Sequence, residues 1–371
     1  MSRRLMQVLW VAVALALTAC AADKPKPTAL APITAKITGQ PVWSAKLDGL
    51  RMPVNMPAHD GAVVVAGSDG TVMSLDLQTG REQWRGQAGA KLSAGVGSDA
   101  RFAAVVTIDN ELIVLERGAR KWSAKLESST ATSPFVAGER VFVMGVDRAV
   151  HAFDAIDGRR LWSFQRAGEA LTLAQAGVLM AYKDTLVVGQ GAALVGLDPT
   201  LGTVRWETAI TSPRGTNEVE RLNDLVGPAL RLGDVICARA FQTAVGCVAA
   251  NNATLRWSRL AGGQRAVGGD AELMFGADAS DRITAWRLSN GETAWNNETL
   301  LYRGLSAPVS AGRSVVFGDV EGQVHFLDRS TGEALLRQPT DGSAVAHLQV
   351  VAGKTVLVAT RNGGIFAFRL E

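Results

Sequence analysis

Histidine is scarce in this 371-residue sequence: His59, His151, His325 and His347, with no i, i+4 pair and no His-x-His. A metal centre needs several convergent ligands, so this spacing excludes a histidine-built one and no metal is expected. No Gly-rich loop opens a helix to cradle phosphate, and no Gly-x-Ser-x-Gly elbow occurs. Spacing singles out no carboxylate pair either, so no catalytic residue is assigned. Charge is not concentrated: 38 basic and 35 acidic side chains give +3, and loss of Arg3 and Arg4 with a leader leaves +1. A near-neutral chain without a basic cluster lacks the counter-ion-release footprint of a nucleic-acid binder. The apolar run from Leu5 to Leu17 is too short to span a bilayer, which takes about 20 residues. After the cationic Met1-Ser2-Arg3-Arg4 it fits a secretory leader over 1–19. Aromatic residues make up only 6% of the chain, yet nine of them are Trp. That skew gives Trp a fixed place in a repeating unit.

The unit itself is visible. Asp69 to Trp84 reads DGTVMSLDLQTGREQW, and variants return as DRAVHAFDAIDGRRLW from Asp147, DRITAWRLSNGETAW from Asp281 and EGQVHFLDRSTGEALL from Glu321. Each has a turn, an alternating apolar strand ending in Asp or another polar residue, a Gly-containing turn and a short strand carrying Trp. Such self-similarity marks a repeat architecture. Trp43, Trp84, Trp122, Trp162, Trp206, Trp257 and Trp295 recur at about 40 residues, with one wide interval of 51 before Trp257, and Leu336 takes an eighth Trp place. Eight hairpins turn near Asp69, Asp109, Asp147, Gln190, Gln242, Ser280, Glu321 and Asn362.

The two counts are out of phase. A Trp strand precedes the first hairpin, and none follows the last, Thr355 to Arg369. A closed ring resolves this, because the strand at Trp43 completes the final blade. Four short strands per unit fit a propeller blade, and closure removes the ends an open solenoid must cap. The expected fold is all-β over 40–371: an eight-bladed β-propeller of four-stranded antiparallel blades, closed by the N-terminal strand. The Trp side chains are read as packing between blades. His151 and His325 share one place in two repeats, which assigns them a structural role. Pro25, Pro27 and Pro32 among Ala, Thr and Lys predict a flexible tether over 20–39.

Leu17-Thr18-Ala19-Cys20 resembles the lipobox of bacterial lipoproteins, which implies that Cys20 is the acylated first residue of the mature chain. Ala21 in place of Asp implies the outer membrane, facing the periplasm. The Leu-Asp-x-x-Thr-Gly-x-x-x-Trp unit resembles the PQQ-type propeller repeat of quinoprotein dehydrogenases and of the BamB family, lipoproteins of the outer-membrane β-barrel assembly (BAM) machinery. Thr216-Asn217-Glu218-Val219-Glu220-Arg221-Leu222-Asn223-Asp224 is similar to a signature loop of that family and accounts for the wide Trp interval. In the family this loop and a Leu-x-Leu-Arg segment one blade earlier contact the POTRA domains of the barrel-forming subunit, BamA. Leu171-Thr172-Leu173 matches Leu-x-Leu, while Ala174 stands where the pattern has Arg.

Both segments join a Trp strand to the next blade, so they open on one face of the ring from adjacent blades. Leu171 and Leu173 are expected to supply apolar contact, with Glu218, Glu220, Arg221 and Asp224 as a charged rim. Cys237 and Cys247 face each other across a hairpin in an exported chain, either as a disulfide or as two buried thiols. The reading is a non-enzymatic, cofactor-free scaffold that binds POTRA domains and assists folding and insertion of outer-membrane proteins. Its outer blade edges offer precursor strands a place to pair. The rival is a periplasmic quinoprotein dehydrogenase using PQQ and calcium. It needs a base Asp, calcium-binding Asn and Glu and a stacking Trp at the axis, and the repeats mark no such set.

Overall fold

In the computed structural model, which describes residues 25–166, 172–212, 217 and 222–370, the repeats form eight four-stranded antiparallel sheets arranged as a propeller. Seven blades are sequential. Blade 1 runs through Ala58–His59, Ala62–Ala66, Thr71–Asp76 and Glu82–Gln87. Blades 2 to 7 span 97–125, 135–164, 179–209, 225–260, 268–297 and 309–339. Blade 8 takes Val345–Val351, Thr355–Thr360 and Gly364–Leu370 from the end of the chain and Gly39–Lys46 from its start. Trp43 lies opposite Ala367, and Ser44 opposite Phe366. The phase mismatch of the repeats is thereby resolved as expected.

Burial follows strand position. The two middle strands of each blade are packed on both faces, so Ala62–Ala66 and Thr71–Asp76 are almost wholly buried, as near-continuous apolar runs require. The outer strands alternate: in Glu82–Gln87 only Gly86 is fully buried. In blades 1 to 7 the third and fourth strands slip register just before the Trp place, which Leu336 fills in blade 7, as where Ser74 pairs with Trp84 but Leu75 with Glu82. Such a bulge re-aims the side chain beside it.

The Trp side chain serves the next blade rather than its own. The indole Nε1 of Trp43 donates to Leu77 O at 2.9 Å, Trp122 to Ala155 O at 2.9 Å, Trp162 to Pro199 O at 3.0 Å, Trp257 to Leu288 O at 2.8 Å and Trp295 to Arg329 O at 2.9 Å. Each acceptor belongs to the turn between the third and fourth strands of the following blade. In blades 1, 3, 4 and 7 that turn is built by its Asp, as where Asp76 Oδ1 accepts the backbone N–H groups of Gln78 and Thr79 and the Thr79 hydroxyl. Its glycine then lies against the Trp ring, at positive φ. Trp84 and Trp206 make no such bond among the described residues. The blades that follow them turn through Glu116-Arg117-Gly118-Ala119 and Asn251-Asn252-Ala253, neither of which sets a glycine against the Trp ring.

The described part of the expected tether, residues 25–38, is not free. Thr28 N donates to Leu301 O at 3.0 Å and Lys36 N to Leu335 O at 2.8 Å. Arg337 Nη1 donates to Ala31 O at 3.2 Å, and Leu30 and Ile37 pack on the cores of blades 6–7 and 7–8. Proline-rich composition predicts extended chain, and extended chain is also what a strap along a blade edge must be. Its apolar residues and carbonyls decide the outcome here.

The strap is fastened over a buried charge cluster. Arg303 is 3% exposed; its Nε donates to Asp319 Oδ2 at 2.8 Å, its Nη1 to Thr28 O at 3.0 Å and its Nη2 to Glu321. His325 Nε2 lies 3.0 Å from the same Asp319 oxygen. Burial pushes the His325 imidazole below its ordinary 6.5, against the opposing pull of Asp319. Asp319 is pushed up by burial, but the hydrogen bonds it accepts from His325, Gln323 N and Arg303 leave it below the usual carboxylate range. Both shifts have the same sign for stability. Above 6.5 the neutral imidazole costs nothing. As pH falls below 6.5 the unfolded chain takes up the proton that the native site resists, and stability drops by up to about 1.4 kcal/mol per pH unit for this group. His325→Gln keeps an N–H for Asp319 and removes the titration. Its unfolding free energy is expected to fall less steeply than wild type between pH 6.5 and 5 in urea titrations.

Candidate docking face

Strand direction sorts the connections. Turns between the second and third strands share one face with the loops that lead into the next blade, and the remaining turns lie opposite. The described part of the predicted patch, Leu173 and Asp224, lies on the first face, and Asp224 is its junction. Asp224 Oδ1 accepts Arg148 Nε at 3.0 Å and pairs with Arg148 Nη2 at 2.7 Å, while Oδ2 accepts Leu173 N at 3.0 Å. Gln190 Nε2 donates to Arg148 O at 3.0 Å, and Phe241 N donates to Asp224 O at 3.0 Å. One carboxylate thus joins the loop into blade 4, the loop into blade 5 and a turn of blade 3. Its own backbone carbonyl reaches a turn of blade 5.

Asp224 therefore differs from the exposed rim charge expected of it. Its side chain is only 15% exposed, and both oxygens are engaged within the chain. Leu173 is half-buried with its backbone fixed by that carboxylate, and Ala174 beside it is exposed. Leu171, Glu218, Glu220 and Arg221 lie outside the described residues, as does Cys20. Arg148 and Gln190 were missed by the sequence reading. Both sit in second-to-third-strand turns, and strand parity alone puts those turns on this face.

Cys237 and Cys247 are paired across the middle strands of blade 5 and joined by a disulfide, with Cα atoms 4.0 Å apart. His151 and His325 sit alike on third strands: His151 Nδ1 meets Ser163 Oγ at 2.8 Å, as His325 meets Asp319. Among the described residues, no three His, Cys, Asp or Glu side chains converge as a metal cage.

A family model described as "Outer membrane protein assembly factor BamB" matches residues 33–91, 68–297 and 300–370. The chain belongs to the BamB family. It is 35% identical to the outer membrane protein assembly factor BamB of Burkholderia pseudomallei (strain K96243), over 98% of this chain and 97% of that protein. The crystal structure of BamB from Moraxella catarrhalis superposes with a TM-score of 0.81 at 21% identity, covering 90% of this chain and all of that one. The quinohemoprotein alcohol dehydrogenase from Comamonas testosteroni superposes with a TM-score of 0.66 at 15% identity, over 89% of this chain and 76% of that one. At such identities the structural likenesses are of fold alone. Membership of the BamB family rests on sequence along nearly the whole chain. The dehydrogenase likeness carries the ring and no active site.

Proposed function

We propose that this BamB-family chain is an accessory scaffold of outer-membrane protein assembly, held by an acylated Cys20 at the periplasmic side of the outer membrane. It docks POTRA domains of a BamA-type subunit through the loops into blades 4 and 5. The observation that carries the reading is the Asp224 junction. A side chain that fixes Leu173, Arg148 and a second blade-entry loop together makes one preorganised surface of segments far apart in sequence. Preorganisation lowers the ordering cost of binding. Leu173 then offers the apolar contact, and Asp224 acts as a positioning residue. The outer strands are less suited to capture precursor strands, since Glu82, Arg85, Arg120 and Lys121 line edges of the kind that charge protects.

Leu173→Ala combined with Asp224→Ala is expected to weaken capture of the POTRA-bearing subunit by about 1–2 kcal/mol, roughly 5- to 30-fold. The measurement is co-purification from detergent-solubilised envelope, beside a thermal melt of each variant. Unchanged capture by a folded double variant rejects this patch as the docking site.

A further inference from the structure

The same face opens at the ring axis into a funnel of about 830 Å³, built from the loops into blades 1 to 4 and turns of blades 1, 2 and 8. Its wall is cationic. Arg51, Lys91 and Arg361 line it with Lys46, against Asp48 and Asp69. Backbone carbonyls hold the Arg361 guanidinium, and the main chain at Arg51 and Lys91 is fixed by hydrogen bonds. Arg361 Nη1 donates to Leu50 O at 2.7 Å and Met52 O at 3.1 Å, while Leu50 N donates back to Arg361 O at 2.9 Å. Arg51 N donates to Ser68 Oγ at 2.6 Å. Ile108 N donates to Lys91 O at 2.9 Å, which places Lys91 beside Ile108.

These charges are not neutralised from within. Among the described residues no carboxylate pairs with Arg51, Lys91 or Arg361, while Arg265, on the loop into blade 6, has Asp281 within electrostatic reach. Asp69 gives its oxygens to Thr71 N at 3.0 Å and Thr71 Oγ1 at 2.7 Å. Lys46 is the exception, lying 3.9 Å from Asp341. Burial pushes the Arg361 guanidinium below its ordinary value, and the like charge of Arg265 adds to this, which sets Arg265 within electrostatic reach of the funnel. Between the cations, apolar surface comes from a 56% exposed Ile108 with Pro53, Ala131 and Ala174, while Met52 and Leu92 are buried beneath it.

From this arrangement we infer that the funnel is a second binding site, taking an acidic peptide segment of a protein partner with apolar side chains interleaved among its carboxylates. Arginine forks suit carboxylates, and the interspersed apolar surface suits a peptide better than a bare anion. The concavity also decides against a membrane. A flat anionic surface meets the rim but not the half-buried Arg361, whereas a single extended chain enters. The site goes beyond the Leu173 patch and does not depend on it, although Ala174 touches both.

The test uses the detergent-solubilised full chain and a fluorescein-labelled octapeptide of alternating glutamate and leucine, read by fluorescence anisotropy. Saturable binding that weakens with added salt is expected. The double reversal Arg51→Glu with Lys91→Glu should lower affinity about tenfold or more. Arg81→Glu with Arg117→Glu changes net charge equally on the opposite face and should shift affinity less than about twofold. Leu173→Ala should leave peptide binding intact even where it weakens capture of the POTRA subunit. Equal losses in the two double variants would reduce the effect to general attraction and overturn the site. Equal binding of an alternating lysine–leucine octapeptide would overturn it too. So would absence of peptide binding together with Arg51-dependent binding to vesicles containing phosphatidylglycerol.

Discussion

Asp319→Ala is expected to lose about 3–5 kcal/mol of stability, the cost of leaving a buried charge without its partner. Among the described residues Asp319 is the one group that Arg303 and His325 share, and the other carboxylate on Arg303 is Glu321, on the exposed side. The carboxylate also accepts Glu321 N and Gln323 N at 2.9 Å each, so the turn of blade 7 loses its own brace. A second effect separates this from simple core damage. Arg303 holds Thr28 O, so the strap loosens with it. Limited proteolysis of Asp319→Ala should cut within residues 25–38 under conditions where the ring stays intact and wild type is resistant. Urea denaturation gives the energy. A loss below about 1 kcal/mol would mean that the cluster is solvated and the strap is held by its apolar contacts alone.

Gly291→Ala is expected to cost about 2–5 kcal/mol, and Gly138→Ala only about 1–2. Both glycines sit in turns at positive φ, +73° and +58°, where a β-carbon costs about 1–2 kcal/mol. They differ in what lies above them. A β-carbon at Gly291 would come within 2.5 Å of the Trp257 ring, whereas at Gly138 nothing lies within 4 Å. Overpacking adds about 1–3 kcal/mol. The excess of Gly291→Ala over Gly138→Ala therefore measures the fit between one blade's Trp and the next blade's turn. Thermal melts of the two variants give it directly. Equal melts would show that the turn can lift off the ring without cost.

The ring was legible because its information is periodic. Trp spacing gave the blade count, and the unpaired strand at Trp43 gave the closure, since an antiparallel blade fixes which strand must complete it. Pairwise partnerships were not legible. The Leu-Asp-x-x-Thr-Gly-x-x-x-Trp string reads as one unit, yet its two halves bond different neighbours: the turn receives the preceding Trp, and its own Trp reaches forward. Only the missing bonds of Trp84 and Trp206, each ahead of an irregular turn, betray the pairing, and they carry meaning only once the blades are assembled. Asp224 looked like a loop charge because a hydrophilic insertion gives no sign of which acid turns inward. The strap was hidden by proline, which marks extended chain without saying whether it is free. Arg239, wholly buried between blades 5 and 6 and pushed down to about 10 by that burial, lies in an apolar strand as an exception no pattern explains. The proposed docking loops come from family likeness and strand parity, whereas the contacts of Arg148 and Gln190 with them needed coordinates.

The pairing of Gly39–Lys46 with Gly364–Leu370 sets a timetable for the molecule's birth. A chain exported from its N-terminus presents the Trp43 strand first and that strand's partner last. The opening edge must therefore wait, unsatisfied, while every other hairpin can form from neighbours in sequence. Local contacts form fast and distant ones slowly, so seven blades can mature before the latch arrives. Premature termination anywhere before the final hairpin would leave the Trp43 strand unpaired and two apolar blade faces uncovered, surface of the kind that drives aggregation.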